Sequence, residues 1–252
     1  MSEVRKITYP EMIIFDYGHT LLHEPGWDPR RGNEELFKHI SKNPGNVTVD
    51  NYIGAINEIY GKVMEVRKNE NCDFSSTVAD RTVSELLNIE FSLTPLEREI
   101  VFWTAAAPGA LMPDSDKMLD RLNEEGIRTG VISNLSWSGE ALRDRLDRLL
   151  PRNRFEFVVT SSDYIFRKPS KVLFDIALNK AGLPPEKVWY CGDNPRADVE
   201  GAANAGIFPV WYDNDTDVDH DIMERFRTPP CEHLHIKEWR EMAHILDQIE
   251  GV

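Results

Sequence analysis

Five residues of this chain stand where short apolar runs stop or helices begin, and their chemistries complement one another. Asp16 ends the run MIIFD, Ser133 ends IRTGVIS, Lys168 lies in RKP ahead of SKVLFDIAL, and Asp193 and Asp198 share GDNPRAD. A carboxylate such as Asp16 can act as a nucleophile and carry a phosphoryl group, dividing one hard step into two. The Ser133 hydroxyl, with the amides of a helix opening in SNLSWSGEAL, offers an anion site. Lys168 would set an ammonium against that anion and against Asp16. Asp193 and Asp198 supply hard oxygen ligands of the kind magnesium prefers. Asp193 is assigned direct contact with the ion, and Asp198 acts through water or by positioning Lys168. Phosphoryl transfer asks for this combination of a nucleophile and compensation for the charge on the phosphate oxygens.

The elements that must position these groups are legible as alternating patterns. MIIFD, IRTGVIS, FEFVVTS, KVWYCGD, IFPVWYD and EHLHI are short apolar runs of the kind that become buried parallel strands. Between them DSDKMLDRLNEEG, ALRDRLDRLL and SKVLFDIALNKAG have apolar residues at helical spacing. Strand and helix in alternation predict an α/β fold, a Rossmann-like parallel sheet sandwiched by helices. Ligands of such sheets bind beyond the carboxyl ends of the strands, where Asp16, Ser133 and Asp193 all fall. From Asp16 to Ser133 is 117 positions, far more than a crossover between neighbouring strands needs. An all-helical cap is therefore expected at residues 23–109, built from NEELFKHI, VDNYIGAINEIYGKVMEVRK, TVADRTVSELL and PLEREIVFWTAA. Residues 1–22 and 110–252 then form the core. The closing KEWREMAHILDQIE puts Trp239, Met242, Leu246 and Ile249 on one face and reads as core packing.

FDYGHTLL, VISN, RKP and CGDNPRAD, in that order, resemble the four signature segments of the haloacid dehalogenase superfamily of hydrolases. The resemblance spans residues 12–211 and includes a cap inserted between the first and second segments. It implies Asp16, Ser133 and Lys168 as catalytic residues, and Ser133, Asn134 and Lys168 as the groups that hold the substrate phosphate. It also implies Asp16, Asp193 and the backbone carbonyl of Gly18 as ligands of Mg²⁺. The activity implied is hydrolysis of small phosphorylated metabolites through an aspartyl-phosphate.

The chain departs from that pattern at Gly18, where the family's phosphatases carry a second aspartate as general acid and base. Such catalysis typically contributes about 10²–10⁴-fold. His19 and His23 are candidate substitutes. The same loss admits a non-catalytic phosphate-binding or regulatory protein. It also admits a dehalogenase, or a phosphonate hydrolase with a Schiff-base lysine from among Lys38, Lys42, Lys62 and Lys68. Arg30 and Arg31, and likewise Arg167 and Lys171, read as solvated. Asp213, Asp215, Asp217 and Glu224 fall at calcium-loop offsets, but Val218 stands where that turn needs glycine, so a solvated acidic loop is expected.

Composition narrows the class further. The formal charge is −14, with hydrophobic residues at 41%, which suits a packed globular protein and disfavours a nucleic-acid or anionic-lipid footprint. No apolar run is long enough to span a membrane, and MSEVRKITYPE has no export signal. Cys72, Cys191 and Cys231 are too few and too scattered for a disulfide framework. A cytoplasmic enzyme is the expectation.

Overall fold

A computed structural model describes residues 7–70, 72–214 and 228–250. Its centre is a six-stranded sheet in the order β10-β9-β8-β1-β6-β7. The strands are β1 (Met12–Phe15), β6 (Arg128–Ser133), β7 (Phe155–Thr160), β8 (Val188–Gly192), β9 (Phe208–Tyr212) and β10 (Leu234–Ile236). Every pairing in the sheet is parallel. All residues of β1, β8 and β9 are buried, as expected of a sheet covered on both faces.

Alternation along the strands sorts the side chains into two cores. Ile13, Phe15, Val131, Trp189 and Cys191 face one way. They pack with Leu119 and Leu122 of α5 (Ser115–Glu124), Leu142 and Leu146 of α6 (Gly139–Leu149), and Trp239, Met242 and Leu246 of the last helix, Trp239–Glu250. Met12, Ile14, Ile132, Val159 and Tyr190 face the other way, onto Leu173, Phe174 and Ala177 of the helix Lys171–Ala181. The fold is the Rossmann-like α/β sandwich that the sequence predicts.

Between β1 and the core helix α5 lies an insert with four helices, α1 (Pro29–Phe37), α2 (Val49–Glu70), α3 (Ser76–Leu86) and α4 (Pro95–Ala106). Local signals fix their starts. Asp28 caps α1 by accepting from the amides of Arg30 and Arg31, and Thr94 and Glu97 form a reciprocal capping box on α4. The insert is not wholly helical, however. β3 (Ile40–Lys42) and β4 (Glu90–Phe91) pair antiparallel within it, and α1 stops at Phe37 rather than running through NEELFKHI. Strands of two and three residues are too short to display a period-two pattern, which is why the sequence conceals them.

Both crossings into the insert meet in a second small ribbon, β2 (Leu22–His23) against β5 (Ala110–Leu111). Arg145, fully buried on α6, ties this junction together. Its guanidinium donates to Tyr17 Oη at 2.7 Å and to the Ala107 carbonyl at 2.9 Å. It also lies 3.4 Å from Glu24 and over the Trp103 ring. Arg31 is exposed, as expected, but it also donates to the Ala105, Ala106 and Gly26 carbonyls and binds the end of α4 to the approach to α1. Arg30 is exposed and pairs with Glu34 and Asp50. Among the described residues no helix is long and apolar enough to cross a membrane.

Candidate active site

Register brings the sequence-predicted groups together. Phe15 pairs with Val131 on one side and with Cys191 on the other, and the Asp16 amide continues the ladder to the Cys191 carbonyl at 2.9 Å. Asp16 therefore emerges between the ends of β6 and β8, where Ser133 and Asp193 also emerge. Asp16 is buried, and its carboxylate accepts from Lys168 Nζ at 2.6 Å and from the Ser133 hydroxyl.

Lys168 is the hub of the group. Its ammonium, 3% exposed, contacts Asp16 Oδ1 and Asp198 Oδ1, both at 2.6 Å, Tyr190 Oη at 2.7 Å and the Ile132 carbonyl at 3.2 Å. Burial disfavours the charged ammonium, but the pull of the two carboxylates outweighs it and holds Lys168 above its ordinary pKa. Asp16 and Asp198 sit above the ordinary carboxylate range. Burial raises each, Lys168 opposes that, and neighbouring carboxylates push them up further. Burial also pushes the Cys191 thiol up, which makes it an inert core residue rather than a nucleophile.

Asp198 is fully engaged as a positioning group. Besides Lys168, it accepts from the Asn194 amide through its other oxygen at 3.0 Å. The segment carrying it, Pro195–Glu200, is a π-helical turn capped by Asn194, a form often found at functional sites. A Cβ on Gly192 would overlap the Asp198 carboxyl group, so glycine is what allows this aspartate to lie against the end of β8. Asn134 also positions Lys168. Its amide donates to the Lys168 carbonyl at 3.0 Å and accepts from the Lys168 amide at 2.8 Å, which commits that side chain to the loop rather than to a ligand.

Asp16, Asp193 and Asp198 each offer an oxygen within 4.8 Å of the others. Three carboxylates, two of them buried, thus converge around the Lys168 ammonium. Three carboxylates around one ammonium leave negative charge that a divalent cation would offset, and an all-oxygen donor set suits a hard ion. The residues present therefore fit a metal.

Several sequence expectations are redrawn. Ser133 does not stand at a helix start; α6 begins at Gly139, capped by Ser138, after an intervening loop. Arg167 is not solvated but pairs with Asp73 of the insert at 2.6 Å. Lys171 is exposed, as expected, and pairs with Asp175. His19 has a left-handed backbone, φ 55°, its amide bonded to the Leu22 carbonyl and its carbonyl to the Asn214 amide group. His23 belongs to the linker ribbon. Lys38, Lys42 and Lys62 are exposed and pair with Glu35, Glu90 and Glu58, while the side chain of Lys68 lies outside the described residues. Asp215, Asp217, Val218 and Glu224 also lie outside them.

Sequence reasoning missed Tyr190 and Asp73. A signal existed for the first: a tyrosine in the fully buried run VWYCG must find a partner for its hydroxyl. Gly192 is in the motif, but its steric reason appears only once Asp198 is placed. Nothing in the sequence pointed to Asp73.

Beside Lys168 a cleft of about 780 Å³ opens between α2 and the core. Its wall includes Arg67 from the insert and Asn134, Arg167, Asn194 and Arg196 from the core.

Comparison with known proteins agrees with this arrangement. The family model described as haloacid dehalogenase-like hydrolase matches residues 104–211. A glyceraldehyde 3-phosphate phosphatase of Methanothermobacter thermautotrophicus is 33% identical over 116 residues, 45% of this chain and 50% of that protein. The chain thus spans about half the length of the first curated relatives it matches. Among solved structures, a 2-haloacid dehalogenase from Pseudomonas syringae superposes with TM-score 0.59 at 20% identity, covering 95% of this chain and 99% of that one. A phosphatase from Thermococcus onnurineus gives TM-score 0.58 at 20% identity, covering 93% and 97%. At that identity the two structures speak for the fold alone. Over residues 104–211, and in its sheet order, the chain is similar to the haloacid dehalogenase-like hydrolases.

Proposed function

We propose that this chain is a magnesium-dependent hydrolase of small phosphate esters that forms a covalent phosphate on Asp16. The observation that carries the reading is the buried Asp16 carboxylate, 2.6 Å from the Lys168 ammonium, among two further aspartates. Relatives named as phosphatases of small metabolites support the substrate class.

In this reading Asp16 attacks phosphorus, and the bond to the ester oxygen breaks with its electron pair leaving on that oxygen. Ser133 and Lys168 bind the phosphate oxygens, while Asp198, Tyr190 and Asn134 hold Lys168 in place. Asp16, Asp193 and the Gly18 carbonyl would hold Mg²⁺, which when bound offsets charge on the phosphate oxygens. Water then attacks phosphorus, the bond to Asp16 breaks, and inorganic phosphate and the carboxylate are released. Gly18 supplies no acid to the leaving oxygen, so esters with acidic leaving groups should react fastest. The four-helix insert serves as a cap that excludes water from the site.

A panel of phosphate esters, assayed with Mg²⁺ and after chelation on wild type and Asp16→Asn, tests the reading. Phosphate release beyond one equivalent is expected only from wild type with metal. Asp16→Asn should lose roughly 10³-fold or more, the scale seen when a group used in the transition state is removed. Full turnover by the variant would exclude Asp16 as nucleophile. Release limited to one equivalent would point to a phosphate-binding protein instead.

A further inference from the structure

The helices of the insert enclose a second cavity, of about 300 Å³, that shares no lining residue with the cleft beside Lys168. α1, α2, α3 and α4 all supply part of its wall, and Trp137 supplies one residue from the core. Packed interiors leave few voids larger than a water molecule, and a space of this size lies at the lower end of small-molecule pockets.

Much of the wall is aromatic. Trp27, Phe102 and Trp137 stand in series, their ring centroids 6.1 and 5.2 Å apart, and Tyr52 and Tyr60 of α2 also line the space. The charged groups of the wall, Asp80, Arg98 and Glu99, are engaged with their neighbours. Arg98 Nη1 pairs with Asp80 at 2.8 Å, and Tyr52 Oη donates to the same carboxylate at 2.8 Å. Glu99, which is buried, accepts from the Ser76 and Ser138 hydroxyls and from the Ser138 amide at 3.1 Å. These groups satisfy one another, so the wall calls for an uncharged occupant. One donor is left over: Arg98 Nε is buried and has no hydrogen-bond partner among the described residues. A buried donor in that state costs free energy until an acceptor reaches it.

We propose that this cavity binds an uncharged molecule of one or two fused rings that carries a hydrogen-bond acceptor for Arg98 Nε. The site is separate from the Asp16 centre, and the inference does not depend on the phosphate-ester reading. Trp137 belongs to the loop after β6, which also carries Asn134, whereas the rest of the wall belongs to the insert. An occupant would therefore touch insert and core together and hold one against the other.

Titration calorimetry with the full chain tests the inference using three probes of one shape. 1-Indanone carries an acceptor, indane no polar group and 2-aminoindane a cation. 1-Indanone should bind wild type with a Kd of about 1 mM or tighter, in keeping with its size. It should bind about 10-fold more tightly than indane, the scale of one satisfied buried donor, and more tightly than 2-aminoindane, whose charge would have to be buried. Arg98→Lys keeps a cation for Asp80 but removes Nε, and should narrow the margin over indane. Asn57 is exposed on α2 and also lines the cavity, so Asn57→Trp should block binding at a position where the fold tolerates change. No binding to wild type, binding untouched by Asn57→Trp, or indane or 2-aminoindane bound as tightly as 1-indanone overturns the inference. A margin over indane that survives Arg98→Lys overturns the role given to Arg98.

Discussion

The carboxylate–lysine centre and the border between insert and core are both built from buried charge, but they place it by different means. In the first, each group leaves the end of a strand or the loop just beyond it, so sheet register alone brings Asp16, Ser133 and Asp193 to one edge. In the second, Asp73, Arg67 and Arg167 meet where a helix end, a short linker and a loop happen to pack. Arg145, Glu24 and Tyr17 meet the same way at the other junction. The centre is organised by backbone hydrogen bonds that the fold must make in any case. The border depends on side chains that must be satisfied by one another. Changes at the centre should therefore cost chemistry first, and changes at the border should cost stability first.

The largest effect expected after loss of Asp16 is a gain. A Cβ on Gly18 meets nothing within 4 Å, so Gly18→Asp has room for the missing acid. Turnover of alkyl phosphates should rise by about 10²-fold, within the range of general acid–base catalysis, with little change in melting temperature. Steady-state rates on alkyl and aryl phosphates check this; unchanged rates would show that another group already moves the proton.

Asp73→Asn should do the reverse. It removes the carboxylate shared by Arg67 and Arg167 and should destabilise the fold by about 1.5–3 kcal/mol. The Asp16 chemistry should stay largely intact when measured on an aryl phosphate. Urea denaturation gives the stability arm, and a larger loss of activity than of stability would erase the contrast between the two regions.

Gly192→Ala joins both kinds of effect. The added methyl overlaps the Asp198 carboxyl group and should cost about 1–3 kcal/mol. Because Asp198 must then move from Lys168, kcat should fall as well, and Asp198→Asn should reproduce the loss of kcat without the steric cost. The baseline for both regions is a half-exposed surface pair. Glu156 is held below the ordinary carboxylate range by its hydrogen bonds with Arg128. The contribution of that pair is thus present above the unfolded pKa and is lost as pH falls through the folded value. Glu156→Gln should change stability by less than about 1 kcal/mol, and less still in high salt.

Legibility follows the same division. Each strand of the main sheet was readable, because a buried parallel strand is a continuous apolar run and its last residue faces the ligand edge. Asp16, Ser133 and Asp193 were readable for the same reason, and Lys168 and Asp198 from the motifs RKP and GDNPRAD. Asn134 was readable as a site residue, but its side chain clamps Lys168 instead of facing a ligand. The β3–β4 pair was too short to leave a pattern. The late start of α6 was hidden because SNLSWSGEAL contains two serines before the one that caps it, Ser138. Arg31, Arg167 and Asp73 were not readable, since an arginine that ties two segments together has the same spacing as one in water. Partners 94 positions apart, such as Arg167 and Asp73, leave no local trace.

The central claim is that Asp16 carries the phosphoryl group. Wild-type protein mixed with Mg²⁺ and an aryl phosphate, quenched in acid and digested, tests it by mass spectrometry of the peptide containing Asp16. With no acid at Gly18 to help activate water, a phosphoryl adduct should accumulate on Asp16, alongside a burst of leaving group and slow steady release. Steady turnover with no adduct on Asp16 at any quench time would contradict the account.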